Sequence, residues 1–230
     1  MNRLKAILAG LLLACASGSL HAAMITNGDF ANSCSFSGWQ TWTDFAEPEL
    51  DAKDFTIDGS APNCRASINV DYDGITEVYY SGNTLYQSLD LSGNADSTFL
   101  LSMDFSVSSQ LTSNDQGFIA DYFIVALFDG TDYNNQNGDL GFLVSPTEIN
   151  GDQQYNLSFE LSSDFANQTN WSLDFQVLLG LEDFDTDFFG STLSISNVSL
   201  TEQQVSVPAP ASFALLAVAL FGLSARRKLS

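Results

Sequence analysis

The side chains of this chain that can do chemistry are almost all carboxylates, and their spacing suits a cation better than a covalent reaction. Glu182-Asp183-Phe184-Asp185-Thr186-Asp187 sets acidic groups at alternate positions, and Ca²⁺ takes about six to eight oxygen ligands. A second oxygen-rich stretch runs from Asp129 through Asp132, Asn134, Asn135 and Asn137 to Asp139. The first is not an EF-hand, because Phe188 stands where that loop needs glycine and Ser194 where it needs glutamate. Ca²⁺ is therefore the candidate cofactor, with Asp183, Asp185 and Asp187 or Asp129, Asp132 and Asp139 as candidate ligands. The alternative is a pair of solvated acidic loops. His21 is the only histidine. It lies in an N-terminal segment expected to be removed, which closes Ser-His-Asp and Cys-His catalysis and leaves zinc poorly served. A glycosidase needs two placed carboxylates, but no motif singles out two of the 28 Asp and Glu. No catalytic residue is assigned, and the chain reads as a non-enzyme, with a two-carboxylate glycoside hydrolase as the least favoured alternative.

Aromatic side chains offer a different chemistry. A ring lies against the apolar face of a pyranose while nearby amides and carboxylates bond its hydroxyls. Trp42, Tyr72, Tyr79, Tyr80 and Tyr133 fall in or beside expected loops and are the candidate carbohydrate contacts; packing at a sheet edge is the alternative for each. Trp39 and Trp171 sit in strand phase and are expected in the core.

The charge distribution narrows the partners. Of 7 Lys and Arg, Arg3 and Lys5 lie at the N-terminus and Arg226, Arg227 and Lys228 at the C-terminus. Lys53 and Arg65 are then the only cations facing all 28 carboxylates in the body between. Binding to phosphate backbones depends on Lys and Arg displacing counterions, so nucleic acid and anionic lipid headgroups are poor partners while divalent cations are plausible ones.

These groups must be carried by strands. Period-two alternation recurs in Phe99-Leu101-Met103-Phe105-Val107, in Tyr155-Leu157-Phe159-Leu161 and in Trp171-Leu173-Phe175-Val177-Leu179. Phe118 to Phe128 is apolar on both faces, as a central strand would be. Asp73-Gly74, Ser92-Gly93, Asp129-Gly130, Asn137-Gly138 and Asn150-Gly151 supply the turns between. No helical period is sustained. The fold class is all-β, an antiparallel β-sandwich, in one domain over residues 24–204. Cys34 and Cys64 are the two cysteines of that body; in an exported chain an even pair reads as a disulfide, with two free thiols as the alternative.

Both ends read as processing signals. Residues 1–23 combine a basic start, an apolar run from Ala6 to Ala14 and small residues before a cut after Ala22 or Ala23, the pattern of a secretory signal peptide. Acylation of Cys15 is the competing reading. Near the other end, Ala211 to Ala225 is apolar or small throughout and runs directly into Arg226-Arg227-Lys228. As a helix it would be about 22 Å long, short of the roughly 30 Å hydrocarbon core. Flanking arginines and local thinning close such a gap, and the basic cluster places the C-terminus in the cytoplasm. Membrane contact is expected through this helix alone.

Val207-Pro208-Ala209-Pro210, the apolar run 211–225 and the basic tail 226–228 together resemble the PEP-CTERM sorting signal of Gram-negative bacteria, which puts the signal at residues 205–230. The usual core is Val-Pro-Glu-Pro, so Ala209 departs from it. The resemblance implies processing by exosortase near Pro208, transient anchoring in the inner membrane, and a cell-surface or extracellular-matrix destination in a bacterium that makes exopolysaccharide.

The body carries a second resemblance. Ile25-Thr26-Asn27-Gly28-Asp29-Phe30 with Gly38-Trp39, then Thr84-Leu85-Tyr86-Gln87, the strand Phe99–Phe105, and the close Leu193–Leu200 are similar, in that order, to carbohydrate-binding modules of the galactose-binding-like jelly-roll fold. The resemblance implies a jelly roll opened by a strand at Ile25–Phe30. It also implies a structural Ca²⁺ held by an acid after the opening Phe and by an Asp of the last strand. Those positions are Ala31 and Ser196 here, and both departures remove a hard oxygen ligand. The expectation from the whole sequence is an exported, exosortase-sorted, non-catalytic matrix protein that associates with exopolysaccharide. The alternative is an acidic structural matrix protein joined to its own copies by Ca²⁺.

Overall fold

Alternating sequence becomes strand wherever one side of the run can be buried, and that happens ten times among the described residues. The computed structural model describes residues 25–44, 54–70, 82–92, 97–109, 122–145, 151–178 and 191–203. The strands are β1 Gln40–Asp44, β2 Phe55–Ser60, β3 Asn63–Val70, β4 Gly82–Ser88 and β5 Thr98–Ser109. They continue with β6 Tyr122–Phe128, β7 Tyr133–Asn134, β8 Gly151–Leu161, β9 Ser172–Leu178 and β10 Ser191–Gln203. One short 3₁₀ turn, Ser163–Phe165, interrupts them.

Two five-stranded sheets form, in the orders β1-β4-β9-β6-β7 and β2-β3-β10-β5-β8, with every pairing antiparallel. The chain changes sheet at nearly every connection after β3, so sheet neighbours are distant in sequence. Each sheet turns its apolar phase inward. Phe99, Leu101, Met103, Phe105 and Val107 of β5 meet Leu85 of β4, Leu173, Phe175 and Val177 of β9, and Phe123, Val125 and Leu127 of β6 in one core. A fully buried side chain of this kind contributes about 1.5–3 kcal/mol. The sandwich expected from the alternation is what forms.

The opening segment departs from expectation. Residues 25–38 form turns rather than a strand, because Asn27, Phe30, Ser33 and Cys34 all adopt positive φ and wind the chain tightly. Asn27 organises the winding. Its side chain donates to Ser35 O (2.7 Å) and Ser37 O (3.2 Å) and accepts from Asn32 N (2.9 Å). Its carbonyl receives Phe30 N and the indole Nε1 of Trp39, each at 3.1 Å. Trp39, buried, stacks on Phe30 at 5.3 Å and leans on Phe175 at 5.9 Å. Gln87 of β4 behaves as a neighbouring strand would, accepting from Thr26 N (2.6 Å) and donating to Thr26 O (2.9 Å).

Two fasteners close this clamp. Gly28 O receives Val198 N at 2.9 Å, at the point where β10 bulges between Ser196 and Ser199. A Cβ on Gly28 would stand 1.8 Å from Val198 O, so only glycine permits the approach. Cys34 and Cys64 are joined as a disulfide, with Cα atoms 5.5 Å apart, tying the clamp to β3. The residues that carry the jelly-roll resemblance are thus fasteners of the fold.

Among the described residues no helix is long and apolar enough to cross a membrane. The expected signal peptide 1–23, Cys15 and the sorting signal expected at 205–230 lie outside the described residues.

Candidate functional site

Register decides which side chains share the outer face of the β1-β4-β9-β6-β7 sheet. Trp42 pairs with Thr84, Thr84 with Gln176, and Gln176 with Ile124. One step along, Gln40 pairs with Tyr86, Tyr86 with Asp174, and Asp174 with Ala126. Ile124 and Ala126 are buried yet stand apart from the inter-sheet core, which confirms that this phase points away from it. The run 122–128 is apolar on both faces because β6 has one face in the core and the other in this surface.

The centre of the face is polar and buried, and its margins are aromatic and open. Asp174 and Gln176 are each only 5% exposed and Thr84 is similarly buried. At the margins Trp42 is 53% exposed, Phe142 41% and Tyr122 38%. Gln176 Nε2 donates to Tyr133 Oη at 2.6 Å, and Tyr86 Oη donates to Gln40 Oε1 at 3.0 Å. The Tyr133 ring lies between Phe128 (5.0 Å) and Phe142 (6.1 Å), forming an aromatic wall beside β6. Four inter-strand spacings separate β1 from β7, about 19 Å in all. The exposed rings at the margins are placed to lie against an apolar ligand face, while the amide, hydroxyl and carboxyl groups between them are withheld from solvent.

Asp174 is the perturbed group of this face. Burial pushes its carboxyl up from the ordinary value to about 6, and the Ser172 hydroxyl donating to Oδ1 at 2.6 Å offsets part of that rise. A carboxyl whose folded value is raised favours the protonated form. Its contribution to stability is therefore complete below the unfolded value near 3.8 and is lost as pH climbs through about 6. Asp174→Asn should leave stability unchanged at pH 3.5 and raise it by roughly 3 kcal/mol at pH 7.5. Melting curves of the two proteins at the two pH values check this; equal melting temperatures at pH 7.5 would contradict it.

The sequence-selected residues fall in three groups. Trp42 and Tyr133 both reach this face, though each sits on a strand rather than in a loop. Tyr72, Tyr79 and Tyr80 lie outside the described residues, as do Asp183, Asp185 and Asp187. Asp129, Asp132 and Asp139 are described and do not converge. Asp129 Oδ1 accepts from the backbone N–H groups of Asp132 and Thr131, both at 2.8 Å. Those two bonds, Asp132's first, hold its carboxyl below the usual range. Asp139 closes a separate turn, its N–H donating to Asn135 Oδ1 at 3.2 Å. Among the described residues no three His, Cys, Asp or Glu side chains gather as a metal cluster. The family position for Ca²⁺ does not fit either, since Ala31 offers no side-chain oxygen and Ser196 lies in the register of the opposite sheet's outer face, across from Asp104. Trp39 and Trp171 pack inward, Trp171 against Phe165 at 4.7 Å.

Gln40, Tyr86, Asp174, Gln176 and Phe142 were not singled out by sequence. Two of them carried a signal: Asp174 and Gln176 are the polar phase of an otherwise apolar strand. That phase means nothing until β9 is known to be the central strand.

Comparison with known proteins adds the following. Residues 206–228 match the PEP-CTERM protein-sorting motif, which implies export and surface sorting. No curated protein sequence matches the chain. Among solved structures, a carbohydrate-binding module specific for non-crystalline cellulose is similar at 13% identity, covering 78% of this chain and 94% of its own, with a TM-score of 0.39. The N-terminal cellulose-binding domain of Cellulomonas fimi β-1,4-glucanase C gives 14%, 80%, 99% and 0.38 in the same order. The enzymatically active domain of a bacteriophage CBA120 tailspike protein gives 12% identity, 79% of this chain and a TM-score of 0.40, and this chain spans only 21% of that one. The chain therefore carries a PEP-CTERM protein-sorting motif behind a two-sheet jelly-roll body.

Proposed function

We propose that this is an exported, non-catalytic matrix protein, processed by exosortase after transient inner-membrane anchoring, that associates with exopolysaccharide across the outer face of the β1-β4-β9-β6-β7 sheet. The observation that carries the reading is one face with exposed aromatic margins and a buried polar centre. The sorting motif supplies the destination. The width of the face, about 19 Å, suits a chain of several sugars rather than a single ring.

Hydrolysis is not supported on this face. Among the strand residues whose side chains are described on this face, Asp174 is the one carboxylate, whereas glycosidases pair two at roughly 5–9.5 Å. Ca²⁺ enters the proposal only through Glu182–Asp187, as a ligand for the acidic segment after β9, and no step of glycan binding depends on it.

The test is affinity electrophoresis of the full-length chain in mild detergent, through gels containing bacterial exopolysaccharides, glucans and xylans, with Ca²⁺ and with chelator. Retardation by one polymer is expected, with Trp42→Ala weakening it about tenfold, near 1.4 kcal/mol, and the melting temperature unchanged because Trp42 is half exposed. No retardation in any gel would leave the acidic, Ca²⁺-joined structural protein as the better reading. Millimolar Ca²⁺ is expected to raise the melting temperature; no shift would remove Ca²⁺ from the proposal.

A further inference from the structure

The opposite sheet carries a second polar surface that the proposed function does not use. Across its outer face, register aligns Asp58 of β2 with Arg65 of β3, Ser196 of β10 with Asp104 of β5, and Asp104 with Asn156 of β8. A groove of about 300 Å³ opens along this row, lined by Arg65, Asp104, Ser106, Gln154, Asn156 and Asn197 among others. The bulge in β10 shapes it. Asn197, at φ 54°, turns its amide so that Nδ2 donates to Asp104 Oδ2 at 2.7 Å, while Asn156 Nδ2 donates to Oδ1 from the other flank.

We propose that this groove is a second sugar site, taking a neutral sugar residue through a vicinal diol, and that the protein cross-links glycan chains by its two opposite faces.

Three features carry the assignment. The first is a matched donor and acceptor. Asp104 is held by an amide on each oxygen, and an ionised carboxylate has about four lone-pair sites, so capacity remains to accept from a sugar hydroxyl. Arg65 is exposed, its only described bond is a long one of 3.5 Å to Ser106 Oγ, and it forms no ion pair among the described residues. About four of its N–H donors are left for the adjacent hydroxyl. One hydroxyl of a diol donates to Asp104 while its neighbour accepts from Arg65.

The second feature is charge. Arg65 is one of two cations in a body of 28 carboxylates, and Asp104 and Asp58 share its row. A uronate would meet two carboxylates for one guanidinium, whereas a neutral sugar meets neither penalty. The third is size: about 300 Å³ lies at the small end of ligand sites, which suits one sugar residue docked by its edge. Phe105 and Tyr155 also border the groove, while their rings, stacked at 4.8 Å, belong to the inward phase.

The cross-linking part rests on the sheet-face reading above, while the groove stands on its own residues. Stacked sheets lie about 10 Å apart and the two surfaces face opposite ways, so a single extended glycan strand does not serve both.

The test uses full-length chain in detergent, with Trp42→Ala, Arg65→Ala, Asp104→Asn and the Trp42→Ala/Arg65→Ala double variant. Each is run through gels containing neutral glucan, mannan, galactan or xylan, or alginate as the uronate polymer, and each is mixed with the retarding polymer to follow turbidity. Arg65 is exposed and Asp104→Asn is isosteric, and an unchanged melting temperature confirms that the fold survives. The expected result is that Arg65→Ala and Asp104→Asn each weaken retardation by a neutral polymer about tenfold. Only the double variant should abolish retardation, and wild type alone should develop turbidity. Full retardation and turbidity with Arg65→Ala and Asp104→Asn would overturn the groove and leave the sheet face standing. Loss with Arg65→Ala but none with Trp42→Ala would support the groove and overturn the sheet face. Retardation by alginate alone would overturn the neutral-sugar assignment.

Discussion

Gly28→Ala is expected to lower the melting temperature by roughly 10 °C. The reason is backbone against backbone. The added Cβ would stand 1.8 Å from Val198 O and 2.8 Å from Val198 C, and neither atom belongs to a side chain that can rotate away. Relief requires the clamp to lift from the β10 bulge, which also breaks the bond from Val198 N to Gly28 O. Overpacking costs about 1–3 kcal/mol, and a lost buried hydrogen bond about 1 more. At roughly 2–4 °C per kcal/mol for a body of this size, the sum is near 10 °C. Gly130→Ala is the control. Its φ of +97° is unfavourable for alanine, but nothing lies within 4 Å of the new atom, so a fall of a few degrees is expected. Equal shifts for the two variants would show that the clamp does not bear on the bulge.

Breaking Cys34–Cys64 is expected to cost roughly 3–4 kcal/mol in the chain-entropy model, from the sequence separation of 30 residues it closes. The bridge fixes the clamp at its far end, where Cys34 follows Ser33 at positive φ and Phe36 packs edge-on to Phe30 and Phe55. Unfolding in urea with and without reductant, alongside the Cys34→Ala/Cys64→Ala variant, measures the effect. An intact mass of the unreduced protein that does not change on reduction would end the prediction at once. Because Gly28 and the disulfide hold the same loop, their losses should not add. Once one fastener is gone the other has less to hold, and the double variant should fall short of the sum.

Both predictions concern residues that the sequence marked for another reason. Asn27-Gly28 and Gly38-Trp39 resembled the opening of a jelly roll, and they do open one, but as turns and not as a strand. Local alternation could not reveal this, since the tight winding depends on Asn27 bonding three backbone carbonyl or amide groups at once and on a partner, Val198, 170 positions downstream.

What the sequence determined by itself was local and periodic. The alternating runs at 99–107 and 155–161 became β5 and β8, and Leu173, Phe175 and Val177 of the third run became the inward phase of β9, with Leu179 outside the described residues, because a side-chain period of two leaves a strand only one way to bury its apolar set. The same reasoning placed Trp39 in the core. The single histidine and the scarcity of cations were also decided there, as they depend on no contact at all.

Tertiary structure alone decided which outward phases meet. β9 lies between β4 and β6, strands 50 to 90 residues earlier in the chain, and only that order sets Asp174 and Gln176 between Trp42 and Tyr133. Their burial, and with it the raised carboxyl of Asp174, follows from neighbours no window of sequence contains. The groove at Asp104 arose in the same way: β3, β5, β8 and β10 each supply one or two ordinary polar residues, and a bulge turns one amide toward them. Strand pairing in a jelly roll joins distant segments, so a site spread across its sheets has no linear signature.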